Sequence, residues 1–326
     1  MPEAMDPSAP AEPTVAPAEV GVAPAEPAVA PAQDAGGRAL TPAVPMLAVA
    51  VAIVSLLVGA LMAAVSVAGH VFGAWRSPEA LTPGLIGAAM LGVSPGLLVI
   101  GRARVWEEVR TLALPLAVVL VGLLAVSLGN GGNLQVAEGG SVVLVLFSLG
   151  WIAVLGVLAT AAVICVGWQY TKPARPLAAR IAPLPGWSKP LLAVLGSSWL
   201  GIGAGLVARP RFWADFVPWT VNRSDAQALG VWALALGVGV LGALAEDDLH
   251  RLRPALLAVP GIALAAAVVL GAHASDVDWT SGPGLSLTVM IVGLLVTGAT
   301  GARLLSRGPA ALAAAGLRGS VGAVPR

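Results

Sequence analysis

The chain has 326 residues, 57% of them hydrophobic and only 11% charged, with a formal net charge of +1. An ordinary soluble domain is about 25% charged, so the composition excludes a water-facing globular surface. It also excludes a nucleic-acid partner, because no Lys/Arg block interleaved with aromatics occurs. The single cysteine, Cys165, rules out an intrachain disulfide.

Residues 1–41 are a tail of their own composition. Ala-Pro-Ala-Glu begins at Ala9, Ala16 and Ala23 and recurs as Ala-Pro-Ala-Gln at Ala30. A proline in every repeat defeats a heptad coiled coil, since it removes a backbone donor and clashes with the preceding turn. The expectation is a disordered spacer of polyproline II character, acidic apart from Arg38.

Eight apolar stretches follow: Pro45 to Gly69, Gly84 to Gly101, Thr111 to Gly129, Val142 to Gly167, Pro190 to Val207, Ala226 to Ala245, Pro254 to Gly271 and Leu285 to Ala302. Each is of the length that crosses ~30 Å of hydrocarbon at ~1.5 Å per residue. The sequence therefore predicts an all-α integral membrane protein of about eight transmembrane helices. Ser94-Pro95-Gly96 and Pro260-Gly261 predict kinks in the second and seventh. The first run is too long for a signal-peptide core and lacks a basic leader, so it reads as an uncleaved span.

Cytoplasmic connections retain Lys and Arg. With the N-terminus inside, fourteen of the 18 basic residues fall inside, leaving Arg76, Arg209, Arg211 and Arg223 outside. This predicts both termini in the cytoplasm. An Ala/Gly/Val/Leu-dominated composition points to a bacterial plasma membrane.

The long connection 170–189 divides a first four-span unit (45–169) from a second (190–304), with a C-terminal tail over 305–326. Shifting the second unit by 143 residues puts Gly230 on Gly87, Gly239 on Gly96 and Arg253 on Arg110. Four spans per unit make this a parallel duplication of a four-helix unit, about an axis along the membrane normal. Small residues let helices approach closely in lipid; Gly92 and Gly96 in the second span match Ala235 and Gly239 in the sixth. These are a seam either for a homo-oligomer or between helices of one chain.

The candidate site lies at 208–225, where Arg209, Arg211 and Arg223 alternate with Phe212, Trp213, Phe216 and Trp219. A guanidinium fork beside aromatics can hold an anionic lipid headgroup; the alternative is an interfacial aromatic belt. Phe72, Trp75 and Arg76 are a smaller version in the first unit. His70, His250 and His273 lie at span ends on both sides, which does not suit haem. Glu246, Asp247, Asp248 and His250 resemble a divalent-metal cluster, but read more simply as a solvated loop pairing with Arg251 and Arg253. No ionisable residue falls inside the drawn spans, and no catalytic, phosphate-binding or metal motif occurs. No cofactor is expected. The chain reads as a non-enzymatic scaffold or accessory subunit with membrane-protein partners, or alternatively as a carrier or binder of a neutral or lipid-like molecule. A carrier requires a polar cavity near Ser94, Ser197 and Ser198.

Overall fold

A computed structural model describes residues 36–177, 180 and 182–306. The tail repeat, and the C-terminal segment with Arg307, Arg318 and Arg326, lie outside the described residues. Ten α-helices occur within them: α1 (Ala43–Val67), α2 (Leu81–Ile100), α3 (Arg110–Gly129), α4 (Gln135–Glu138), α5 (Val142–Thr171), α6 (Ser188–Ala208), α7 (Pro210–Trp213), α8 (Arg223–Glu246), α9 (Arg253–Ala272) and α10 (Gly282–Ser306). All but α4 and α7 are long and apolar enough to cross a membrane, which agrees with the eight predicted spans.

Local chemistry sets the ends. Ser141 caps α5 by accepting from Leu144 N, and Asn222 caps α8 by accepting from Asp225 N. Asp247 closes α8 with φ +50°, a left-handed turn that Asp tolerates better than most side chains. Helices α2 and α9 run unbroken through Pro95 and Pro260, and α3 through Pro115. α5 continues to Thr171, four residues past the predicted end, because Gln169 is held there. Its side chain accepts from Thr41 N and Oγ1, both at 3.0 Å.

The helices pack in a reciprocal pattern. α1 lies on α2 and α6 on α8; α2 then crosses α9, and α8 crosses α3; α5 and α10 flank α3 and α9. Of the central windows, 72% of α2 is buried against 22% of α5, α6 and α10. The outer helices turn large apolar side chains outward, among them Met46, Leu57, Val142, Val157, Val194 and Val289. In a membrane these face hydrocarbon at no cost, whereas in water they would form an extensive exposed apolar surface.

The crossings rest on glycine. At Gly92 a Cβ would collide with the backbone of Gly261 and Ile262 in α9, and at Gly96 it would stand 2.5 Å from Pro254 O. At Gly239 a Cβ would meet Pro115 Cγ of α3 at 3.2 Å. Ala235 is buried beside it. All four packing residues are thus used within one chain.

Call the end at which the described chain begins the near end. There, residues that the sequence assigns to the tail are engaged: Leu40 N donates to Arg104 O at 3.1 Å and Trp106 N to Arg38 O at 2.9 Å. The predicted solvated loop after α8 is instead buried. Glu246, Asp247 and Asp248 are 4%, 8% and 1% exposed. Glu246 pairs with Arg110, Asp247 with Lys189 and Arg180, and Asp248 with Arg251. Desolvating such carboxylates is costly unless they are paired, and α3, α6 and the loop itself supply the partners. No group of three His, Cys, Asp or Glu among the described residues is arranged to hold a metal.

Candidate ligand cavity

A large apolar space lies among α6, α8, α9 and α10, toward the far end, and has a volume of about 400 Å³. Helix α6 contributes Trp199, Ile202 and Leu206 to its wall, and α8 contributes Leu229, Trp232 and Leu236. Ile262 and Ala266 of α9 and Met290 and Leu294 of α10 complete it. The roof is the end of α7 and the segment after it, with Trp213, Phe216, Val217 and Trp219.

The cavity exists because α6 and α10 are held apart. They touch at Leu195 beside Gly293, whereas α1 and α5 pack along each other. The roof is rigid where it matters: Trp219 is 9% exposed and its Nε1 donates to Thr82 Oγ1 at 2.9 Å. Phe212, Trp213 and Phe216 stack on one another with ring centroids 5.3–6.2 Å apart. Such pairs add to their area burial through edge and offset contacts.

Two indole N–H groups in the wall, those of Trp199 and Trp232, have no hydrogen-bond partner. A buried donor left without an acceptor costs about 1–3 kcal/mol. No lining residue is charged, and Ser286 is the one hydroxyl among them.

Beyond the roof a second, polar recess of about 510 Å³ shares Val217, Pro218, Trp219 and Pro283 with the cavity. Its carboxylates are Glu79, Asp215, Asp276 and Asp278. The hydrogen bond from His273, at 2.9 Å, holds Asp276 below the usual carboxylate range, and the Thr280 hydroxyl and amide do the same for Asp278. The recess is therefore anionic at neutral pH.

The predicted site residues divide into two groups. Trp213 and Trp219 come together in the roof, and Trp219 is anchored to α2 rather than placed in an interfacial belt. Arg209, Arg211 and Arg223 are exposed and do not line the cavity. Ser94, Ser197 and Ser198 do not converge: Ser94 donates to Met90 O of its own helix at 2.9 Å, and Ser197 is exposed. The space where α3, α8 and α9 meet is only about 80 Å³, walled by apolar side chains and Thr111.

Asp225 escaped the reading of the sequence. It sits in the first turn of α8, fully buried, and accepts from Trp75 Nε1 at 2.8 Å and Ser77 Oγ at 2.7 Å. The available signal was the match of Trp75 to Trp219, because each donates its indole N–H to the other helix group: Trp75 to Asp225 in α8, Trp219 to Thr82 in α2.

No family model, curated protein or solved structure matches this chain.

Proposed function

We propose that the protein is a non-enzymatic multi-pass membrane protein, built from two like four-helix halves, that binds an apolar, lipid-like molecule in the cavity of its second half. The observation that carries the binding is the 400 Å³ apolar cavity with its fixed aromatic roof. Ligand sites are concave and mostly apolar, with few polar groups, and an empty space of this size would leave its walls without dispersion partners.

The duplication is supported residue by residue. In α2 a Cβ on Gly87 would meet Gly59 O, and in α8 one on Gly230 would meet Gly203 O, at 2.8 and 3.0 Å. Gly96 lies against Pro254 O and Ala258, and Gly239 against Thr111 O and Pro115, the same positions exchanged between halves under the 143-residue shift. At the near end, Trp106 N bonds Arg38 O and Leu249 N bonds Ala182 O. Reciprocal crossings of this kind are what a two-fold axis along the membrane normal produces. The charge count supports both termini in the cytoplasm of a bacterial plasma membrane, which puts the roof and acidic recess outside. Exposed Arg209, Arg211 and Arg223 at that face are placed to meet anionic lipid phosphates, a contact separate from the cavity.

A second reading, a scaffold that holds no small molecule and serves membrane-protein partners, is favoured by the closed seam between the halves. Quenching of tryptophan fluorescence by a bromine-tailed fatty alcohol separates the two, because Trp199, Trp213, Trp219 and Trp232 all border the cavity. The wild type should show a saturable component at low mole fraction in nanodiscs, and Ala266→Phe, which fills the space, should lack it. Purely linear quenching in the wild type would leave the scaffold.

A further inference from the structure

The cavity has a mouth, and its rim is apolar. Of the residues lining the cavity, Phe216, Gly282 and Ser286 are the exposed ones. They place the opening under the edge of the roof, beside the first turns of α10. That is the side on which α6 and α10 stand apart, touching at Leu195 beside Gly293. Around the opening, Phe212 of the roof and Leu285, Val289 and Val292 of α10 are all exposed. The mouth is therefore continuous with the apolar surface that the long helices turn outward, which in a membrane meets hydrocarbon. The side toward the acidic recess is shut by a shared wall of Val217, Pro218, Trp219 and Pro283. This wall is pinned twice: Trp219 Nε1 donates to Thr82 Oγ1 of α2, and Asp278 N donates to Pro218 O at 3.2 Å.

The lining positions on α10 run from Gly282 to Leu294, ~18 Å of helix at ~1.5 Å per residue. One leaflet supplies about half of the ~30 Å of hydrocarbon in a bilayer, so the space spans the depth of one leaflet. A volume of about 400 Å³ spread over that length is a slot, longer than it is wide. No lining side chain is charged, and the one hydroxyl, that of Ser286, stands at the mouth. A charged headgroup thus has no partner inside, whereas an extended hydrocarbon chain makes dispersion contacts along the whole wall. We propose that one acyl chain of a phospholipid in the leaflet at the far end enters the slot sideways, between α6 and α10 beneath the roof, while its headgroup stays at the membrane surface. The proposal rests on the cavity being a binding site, and adds the identity of the occupant and the side from which it comes.

The experiment uses the full chain in nanodiscs of diphytanoyl phosphatidylcholine, whose methyl-branched chains are too broad to compete well for a slot. A straight-chain phosphatidylcholine brominated on one chain is titrated in, and tryptophan fluorescence reports its entry, because Trp199, Trp213, Trp219 and Trp232 border the cavity. The wild type should show a component that saturates near one lipid per protein. Ser286→Phe, which fills the mouth at an exposed position, should lose that component. Thr220→Phe, exposed on the recess side of the wall, should keep it. If Ser286→Phe fails to fold, Gly282→Phe narrows the same rim at a position where a Cβ meets open space. Any pattern other than loss at the mouth with retention at Thr220→Phe overturns the sideways entry. Linear quenching by the phospholipid beside saturable quenching by the bromine-tailed fatty alcohol overturns the phospholipid and leaves an apolar site for an unanchored molecule. Linear quenching by both probes removes the binding reading itself.

Discussion

The two sets of four long helices solve the same packing problem and end in different interiors. In the first set, Trp151 of α5 is buried, stacking at 6.1 Å on Trp75 and at 6.2 Å on Phe147, with Phe72 4.6 Å from Phe147. Under the 143-residue shift, Trp151 corresponds to Leu294 and Phe147 to Met290, and both of these line the cavity. Phe216, which lies 144 residues after Phe72, turns to Trp213 and Phe212 in the roof. Two aromatic side chains replaced by smaller ones account for a closed first half and an open second.

The comparison breaks most visibly at the crossings. Gly92 has backbone of α9 where a Cβ would go, whereas its counterpart Ala235 already carries one, and at Gly239 a Cβ would press only on the Pro115 ring, at 3.2 Å, which must yield by a few tenths of an ångström. Gly92→Ala should therefore cost at or above the upper end of the ~1–3 kcal/mol typical of overpacking, or prevent folding outright. Gly239→Ala should cost less than ~1 kcal/mol by the same reasoning. The melting temperature of detergent-purified protein measures both. Equal losses would mean that the two crossings are alike and that the tight glycine at 92 is not what distinguishes them.

That asymmetry shows where the sequence was legible. Eight spans and the glycine positions follow from composition and spacing, because apolar length and small side chains act locally. The cavity does not. It depends on α6 and α10 being held apart, a relation between elements roughly a hundred residues separate in the chain. Asp225 was missed because it lies at a span boundary, where a carboxylate reads as surface; only its partners Trp75 and Ser77, from the other half, reveal it as buried. The loop after α8 misled in the same way. A run of three acids beside arginines looks solvated until Arg110 of α3 and Lys189 of α6 are brought against it. Within the candidate site, Trp213 and Trp219 were legible as an aromatic cluster. The arginines that flank them drew attention to the bilayer surface rather than to the space beneath.

A second, smaller effect exchanges the residues that differ. Trp151→Leu opens in the first half the space that Leu294 leaves in the second, and removes the hydrogen bond from Trp151 Nε1 to Ser127 Oγ at 3.1 Å. The expected loss is about 2–4 kcal/mol, below a full Trp→Ala truncation because Leu retains part of the volume. Leu294→Trp should instead close the second half. Its thermal stability should change little, while saturable quenching by the bromine-tailed probe disappears. Retained quenching in Leu294→Trp would show that Trp151 is not the group that closes the first half.

The smallest effect concerns pH and belongs to the second half alone. At the near end the two halves make the same connection with different acceptors: Leu40 N donates to Arg104 O, a backbone carbonyl, and Leu184 N to the Asp247 carboxylate at 3.1 Å. Only the second can titrate. Burial acts to raise the pKa of Asp247, but the hydrogen bond from Lys189 at 2.7 Å, that from Leu184 N, and the charges of Lys189 and Arg180 outweigh it and hold the group below its ordinary value. A carboxylate whose pKa is depressed on folding contributes stability that is complete above its unfolded pKa, near 3.8, and is lost as pH falls through the lower folded value. Lys189→Met should therefore lower the melting temperature modestly at pH 7 and flatten its decline on acidification. The lysine is 40% exposed, so solvent screening keeps the effect small. Replacing Arg104, whose side chain makes no part of the equivalent bond, should leave the acid limb of the curve where it was. An acid limb that survives Lys189→Met unchanged would remove Asp247 as the point at which the halves differ in pH response.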